Sequence, residues 1–181
     1  KDLPEGHRGP LRLGRRRREP IARPDPASVP FLRRLARRTW FYFETFAGPE
    51  HNWLPPDNYQ EEPHAEVAGR TSPTNIGMLL LSTAAAFELG FIGRSELAAR
   101  VRNIFESLDR LQRHRGHFFN WYDTRTLEPL EPRYVSTVDS GNLAMCLLAL
   151  AATLRFAAAD RSASARRWLA LADAGDLLET A

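Results

Sequence analysis

At 181 residues, with 43% hydrophobic and 26% charged residues, the sequence has the make-up of one soluble globular domain with a core of its own. A single cysteine excludes an intrachain disulfide, and no apolar run in the sequence reaches the roughly 18 residues that a membrane span requires. The net charge of +3 is uneven: residues 1–40 hold 12 Lys+Arg against 4 Asp+Glu, leaving 13 against 18 for the remainder.

The basicity belongs to residues 1–27. There "LRLGRRRREPIARPDPASVP" is rich in Arg and Pro without apolar periodicity and reads as a disordered, solvated lead-in. No apolar segment follows the arginines, so signal-peptide logic fails, and a start at Lys1 suggests a fragment or a processed piece. Residues 28–181 carry the helical signals. Ser28 is placed to cap a first helix with Pro30 in its opening turn, and Phe31, Leu32, Leu35, Phe43 and Phe46 give it an apolar side before Gly48-Pro49 stops it. After an irregular stretch, Pro49 to Pro73, an almost wholly apolar helix runs from Ile76 to Leu89 and stops at Gly90. Ser95 opens a third helix, amphipathic, with Leu97, Val101, Ile104, Leu108 and Leu111 at spacings of three and four. A second long loop, Gly116 to Val138, leads into a second apolar helix from about Gly141 to Ala158, in which Cys146 reads as a buried small hydrophobe. A last amphipathic helix is expected over Ser164–Leu178.

Laying "TSPTNIGM" (Thr71 to Met78) over "STVDSGNL" (Ser136 to Leu143) gives an offset of 65, with hydroxyl residues entering each apolar helix and an amide in its first turn. Buried helix, short turn, covering helix and long loop, written twice, describe an all-α fold of helical hairpins forming part of an (α/α)6 toroid. Both long loops then emerge beside the N-termini of the inner helices, where backbone donors point outward. The incomplete ring leaves apolar inner helices without neighbours, and the isolated chain is therefore expected to associate.

The loops carry the candidate chemistry. The first supplies Trp53, Asp57, Asn58, Arg70 and Asn75, and its prolines at 55, 56 and 63 limit the entropy lost on ordering it. The second supplies Asn120, Trp121, Tyr122, Asp123 and Asp139. Aromatic faces cover the apolar side of a pyranose while carboxylates and amides fork onto its hydroxyls, so the mixture points to sugar binding. Each residue also has a structural reading: Asp139 or Ser140 as the cap of the helix from Gly141, and Trp121 and Tyr122 as plugs on the core. Glu61 and Glu62 read as solvated. His51, His64, His114 and His117 show no metal-ligand spacing, and no phosphate loop, Gly-x-Ser-x-Gly elbow or dinucleotide fingerprint occurs.

The runs "RRTWFYFETFAGPEHNWLPPDNYQEEP", "RTSPTNIGMLLLSTAAAFELGFIG" and "LDRLQRHRGHFFNWYDTRTLEPLEPRYVSTVDSGNLA" together resemble the region that follows the membrane-embedded glucosyltransferase part of cyclic β-1,2-glucan synthases. The resemblance covers roughly Phe31 to Leu154 and implies the opening part of a middle, transglycosylating (α/α) toroid that closes β-1,2-glucan chains into rings. It further implies a location on the cytoplasmic side of the bacterial inner membrane within the parent protein. The implied partners are a β-1,2-glucan chain and the rest of the synthase polypeptide, with no nucleic acid. No cofactor is implied for this segment, since UDP-glucose serves another domain of the parent. The family's acidic pair lies downstream of this segment, which is expected to be inactive alone; the ten loop residues named above are those expected to line the glucan cleft. A competing reading is a non-catalytic helical-repeat module that binds carbohydrate or an anionic partner.

Overall fold

The computed structural model describes residues 24–159 together with 166, 168–173 and 175, so the readings for the lead-in at 1–27 and the last helix at Ser164–Leu178 fall partly outside the described residues. Helix α1, Val29–Phe46, begins and ends where the sequence predicts. Ser28 makes no side-chain cap, however; Asp25 instead accepts from the Ala27 N–H at 3.1 Å and caps the 3-10 turn Pro26–Ser28 that leads into the helix. The apolar side of α1 is only half used. Trp40 is buried and Phe43 packs on the core, whereas Phe31, Leu32 and Leu35 remain exposed. Leu32 and Leu35 border a shallow apolar groove of about 290 Å³ shared with Ser82, Ala85 and Leu89.

Helix α2, Pro73–Glu88, is the inner helix. The Ser72 hydroxyl accepts from the Asn75 N–H at 3.2 Å and Pro73 fills the first position, where no backbone donor is needed. The helix packs against α1, α3 and α4, which buries Ile76, Leu79, Leu80, Ala84, Ala86 and Phe87 around it. Gly90 follows with φ of 83°, and a Cβ there would meet the Arg166 carbonyl oxygen at 2.4 Å, so both backbone and space demand glycine.

Helix α3, Arg94–Arg110, begins at Arg94, one residue ahead of the expected Ser95 start, because the extended backbone of Gly93 already makes the helix boundary. It buries Leu97, Ile104 and Leu108 against the core and leaves its other side to solvent, as its period requires. Burying each such side chain contributes roughly 1.5–3 kcal/mol.

Helix α4, Thr137–Ala159, starts four residues before the expected Gly141. Ser136 is the residue that caps it, its hydroxyl accepting from the Asp139 N–H at 3.1 Å and donating to the Asp139 carboxylate. Ser72 with Asn75 and Ser136 with Asp139 thus play matching parts, which places the internal correspondence at an offset of 64 instead of 65. The two inner helices touch at Gly77: a Cβ there would lie 2.9 Å from Cys146 Sγ and 3.4 Å from Leu143 Cα. Only one side of α4 is covered, by way of Leu143, Cys146, Leu150 and Ala157; Val138, Met145, Leu148 and Phe156 are exposed. The all-round burial expected for this helix is therefore not reached. By length and composition alone it passes for a bilayer-crossing helix, as apolar core helices also do; Thr137, Asp139, Ser140, Asn142 and Arg155 keep any uninterrupted apolar run in it below the length the sequence reading requires.

Three two-stranded antiparallel ladders order the loops. β1 (Tyr59–Gln60) pairs with β2 (Glu66–Val67) in the first loop, and β4 (Arg113–His114) pairs with β5 (His117–Phe118) across the positive-φ pair Arg115-Gly116, the geometry of a type I′ turn. The third ladder joins the loops: β3 (Arg70–Thr71) pairs with β6 (Tyr122–Asp123), setting Arg70 opposite Asp123 and Thr71 opposite Tyr122.

Candidate functional site

Asn52 holds the two loops in register. Its backbone adopts the left-handed region at φ of 50°, a conformation that Asn tolerates better than most residues. Its amide nitrogen donates to the Thr124 and Arg125 carbonyls at 2.9 and 2.8 Å, its side-chain oxygen accepts from Arg110 at 2.8 Å, and its own carbonyl accepts from the buried Ser107 hydroxyl. Beside it His51 is buried, with Nδ1 2.6 Å from Thr124 Oγ1, and the Thr124 hydroxyl donates to the Gly69 carbonyl at 3.0 Å. Thr124 has spent its proton on Gly69, so His51 Nδ1 carries the hydrogen of that contact. Burial, and then the Arg125 cation, lower the His51 pKa, against smaller opposing effects from Glu50 and Asp123. Neither Asn52 nor the Thr124 clasp was foreseen in the sequence; the left-handed preference of Asn after a short helical turn was the available signal.

Above this clasp lies a polar rim across the N-termini of α2 and α4. Asp57 Oδ2 accepts from Arg70 Nη2 and Nε at 3.0 and 3.2 Å, and Oδ1 accepts from the Asn75 amide at 3.1 Å. The same Arg70 guanidinium stacks over the Trp121 ring, 4.9 Å from its centroid. With the Asn120 amide turned so that its oxygen meets donors and its nitrogen an acceptor, Trp121 Nε1 donates to that oxygen at 2.9 Å, the Tyr134 hydroxyl donates to it at 2.8 Å, and the Asn120 nitrogen donates to Asp139 Oδ2 at 3.0 Å. Asn142 then donates to the Thr74 hydroxyl at 3.0 Å, tying the first turn of α4 to that of α2. Burial works to raise the Asp139 pKa, but hydrogen bonds from Ser136 and from the hydroxyl and N–H of Thr74 outweigh it and hold the carboxylate below its usual range.

Of the residues predicted from sequence, Asp57, Arg70, Asn75, Asn120, Trp121 and Asp139 thus form one continuous network drawn from both loops. Asn58 joins it by donating to Asp57 Oδ2 at 3.3 Å, and with Asp123, just outside the network, it lines a polar groove of about 430 Å³ that Arg70 also borders. Asp123 Oδ1 accepts from the Arg125 and Thr126 N–H groups, both at 2.8 Å, so that carboxylate also shapes its own turn. Burial pushes its pKa up, and these bonds push it further down, for a net lowering. Two aromatics differ from expectation. Tyr122 is fully buried, with its hydroxyl donating to the Gln112 carbonyl and accepting from the Phe119 N–H, and it therefore presents no face to a ligand. Trp53, at φ of 59°, packs on the core, because the left-handed pair Asn52-Trp53 turns it inward. Among the described residues no group of three or more His, Cys, Asp or Glu is placed to hold a metal ion.

Apolar inner helices side by side, a covering helix after the first of them, and polar loops joined over the inner N-termini define this molecule as part of an (α/α) toroid. A candidate glucoamylase from Bacteroides fragilis has the same fold, at a TM-score of 0.57 and 21% identity over 70% of this chain and 32% of its own. The chain belongs to the family named DUF3131, a protein family of unknown function whose pattern matches residues 34–170. It is also 55% identical, over 124 residues, to the cyclic β-(1,2)-glucan synthase NdvB of Rhizobium meliloti (strain 1021). That match takes in 68% of this chain and 4% of the synthase, so the chain corresponds to a small segment of a much longer relative.

Proposed function

We propose that this chain is a segment of a cyclic β-1,2-glucan synthase and builds one wall of the cleft in which the parent's toroid binds β-1,2-glucan for ring closure by transglycosylation. The observation that carries this reading is the rim Asp57–Arg70–Trp121–Asn120–Asp139, which fixes an aromatic ring, a guanidinium and two carboxylates over adjoining helix N-termini. The Trp121 ring offers its face away from Arg70 to a pyranose, while Arg70, Asn75 and the Asp57 carboxylate supply donors and acceptors for its hydroxyls and Asp139, its oxygens taken by Ser136, Asn120 and Thr74, holds the rim in place. Asn120, Tyr122 and Trp53 act beneath them by positioning. None of these residues is assigned to bond cleavage, and the chain alone is inactive, its catalytic acids lying elsewhere in the parent. Its partners are the glucan and the remaining synthase polypeptide, on the cytoplasmic side of the inner membrane, with UDP-glucose consumed by another domain.

The test is an exchange of segments. The matching residues of the Rhizobium meliloti synthase are replaced by residues 31–154 of this chain, and cyclic glucan is measured in cells lacking the native enzyme. Cyclic product from the chimera, lost on Trp121→Ala with the chimera still present at full level, is the expected result. A stable chimera whose product is unchanged by Trp121→Ala, Arg70→Ala and Asp139→Ala would remove the rim from the reaction.

A further inference from the structure

The groove beside the rim adds Gln60 and Glu66 to the polar groups of the network; one Gln60 amide hydrogen goes to the Glu62 carbonyl at 2.7 Å, which leaves its second hydrogen and its oxygen for a ligand. It is walled by Asn58, Gln60 and Glu66 from the β1–β2 hairpin on one side and by Arg70 and Asp123 from the β3–β6 ladder on the other, over an apolar patch at Leu130. At about 430 Å³ it falls in the size range of small-ligand sites. Its charge is distinctive. Arg70 is paired with Asp57 and the Arg125 cation acts on Asp123, so among the described lining residues and their partners Glu66 is the carboxylate in excess, one net negative charge. Amides and carboxylates over a small apolar floor suit a neutral polyhydroxylated ring, whereas a phosphorylated or nucleotide-linked sugar would bring a second set of negative charges into the groove.

We propose that this groove is a glucosyl subsite selective for a neutral chain, in which Glu66 and Gln60 accept and donate to sugar hydroxyls and Glu66 excludes phosphorylated sugars. The proposal rests on the glucan-binding reading and adds the hairpin to it. Gln60 stands on β1 and Glu66 opposite it on β2, both exposed, so replacing either leaves the core untouched.

Calorimetric titration of the whole chain with β-1,2-gluco-oligosaccharides, and with the same oligosaccharides carrying a 6-phosphate, tests it. Wild type is expected to bind the neutral ligand and to bind the phosphorylated one about tenfold or more less tightly. Glu66→Ala and Gln60→Ala each weaken neutral binding about tenfold, the loss expected for a hydrogen bond made in a partly dry site, and Glu66→Gln narrows the discrimination between the two ligands. Amide exchange on wild type supplies a second reading, with protection on ligand binding over 58–69. Protection confined to 72–75 and 119–123, with Glu66→Ala and Gln60→Ala binding like wild type, overturns the subsite and leaves the rim standing. No binding of the neutral ligand by wild type overturns the subsite and the glucan-binding reading together.

Discussion

Asp139→Ala is the substitution that most directly probes how the two loops and two helix N-termini are joined. The carboxylate accepts from Ser136, from the Asn120 amide at 3.0 Å and from the hydroxyl and N–H of Thr74, so its removal strips donors from both α2 and α4 at once. A lost helix cap costs about 0.5–2 kcal/mol and each hydrogen bond to a charged group about 1.5–3 kcal/mol, and members of one network do not add fully. A local cost of about 3 kcal/mol follows, or roughly 100-fold faster exchange of the Thr74 and Asn75 amides. Asp139→Asn, which keeps one acceptor oxygen, is expected to cost about half as much. Amide exchange followed by NMR reads this locally, and the Trp121 indole proton is expected to exchange faster as well, because Asn120 loses the partner that orients it. The pH dependence has a definite sign. A folded pKa held below 3.8 gives a contribution that is present above 3.8 and is lost as pH falls through the lower folded value, and both variants flatten that loss. Exchange at Thr74, Asn75 and the Trp121 indole that stays within threefold of wild type in Asp139→Ala would refute the network.

Gly77→Ala places a methyl 2.9 Å from Cys146 Sγ and 3.4 Å from Leu143 Cα, so despite a helix-propensity gain of about 1 kcal/mol it is expected to destabilise by about 1 kcal/mol net. Adding Cys146→Ala should recover part of that loss, and a cycle with zero coupling in denaturant titrations would contradict the close approach. His51 is neutral in its clasp with a folded pKa below 6.5, so the clasp is expected to loosen as pH falls below 6.5 toward the folded value; faster exchange at Thr124, absent in His51→Gln, checks this. The exposed Met145, Leu148 and Phe156 on α4 predict that the isolated chain elutes as oligomers, with Met145→Lys and Leu148→Lys shifting it toward monomer; a wild-type monomer with a sharp unfolding transition would rule the idea out.

Where the sequence had a period to show, it was readable. The buried face of α3 and the stop of α2 at Gly90 follow from spacing and from one conformational demand. The start of α4 was misread, although Ser136 followed three residues later by Asp139 is a capping pattern, because Gly141 and Ser140 looked like the stronger boundary. The pairing of β3 with β6 left no trace: strands of two residues have no alternation to detect, and their partners are about fifty residues apart. Trp53 and Tyr122 show the limit for aromatics, since composition cannot say whether a loop ring faces solvent or core; Asn52 and the Gln112 carbonyl decide that for these two. Exposure along α4 follows from which neighbours are present, a property of the assembled ring that no local pattern encodes.

The central claim is that the joined loops bind β-1,2-glucan, and fluorescence of Trp121, stacked under Arg70, reports on it directly. Titration of the whole chain with linear β-1,2-glucan is expected to give a saturable change in tryptophan emission that disappears in Trp121→Phe. Emission unmoved by glucan but altered by anionic vesicles or nucleic acid would contradict the account.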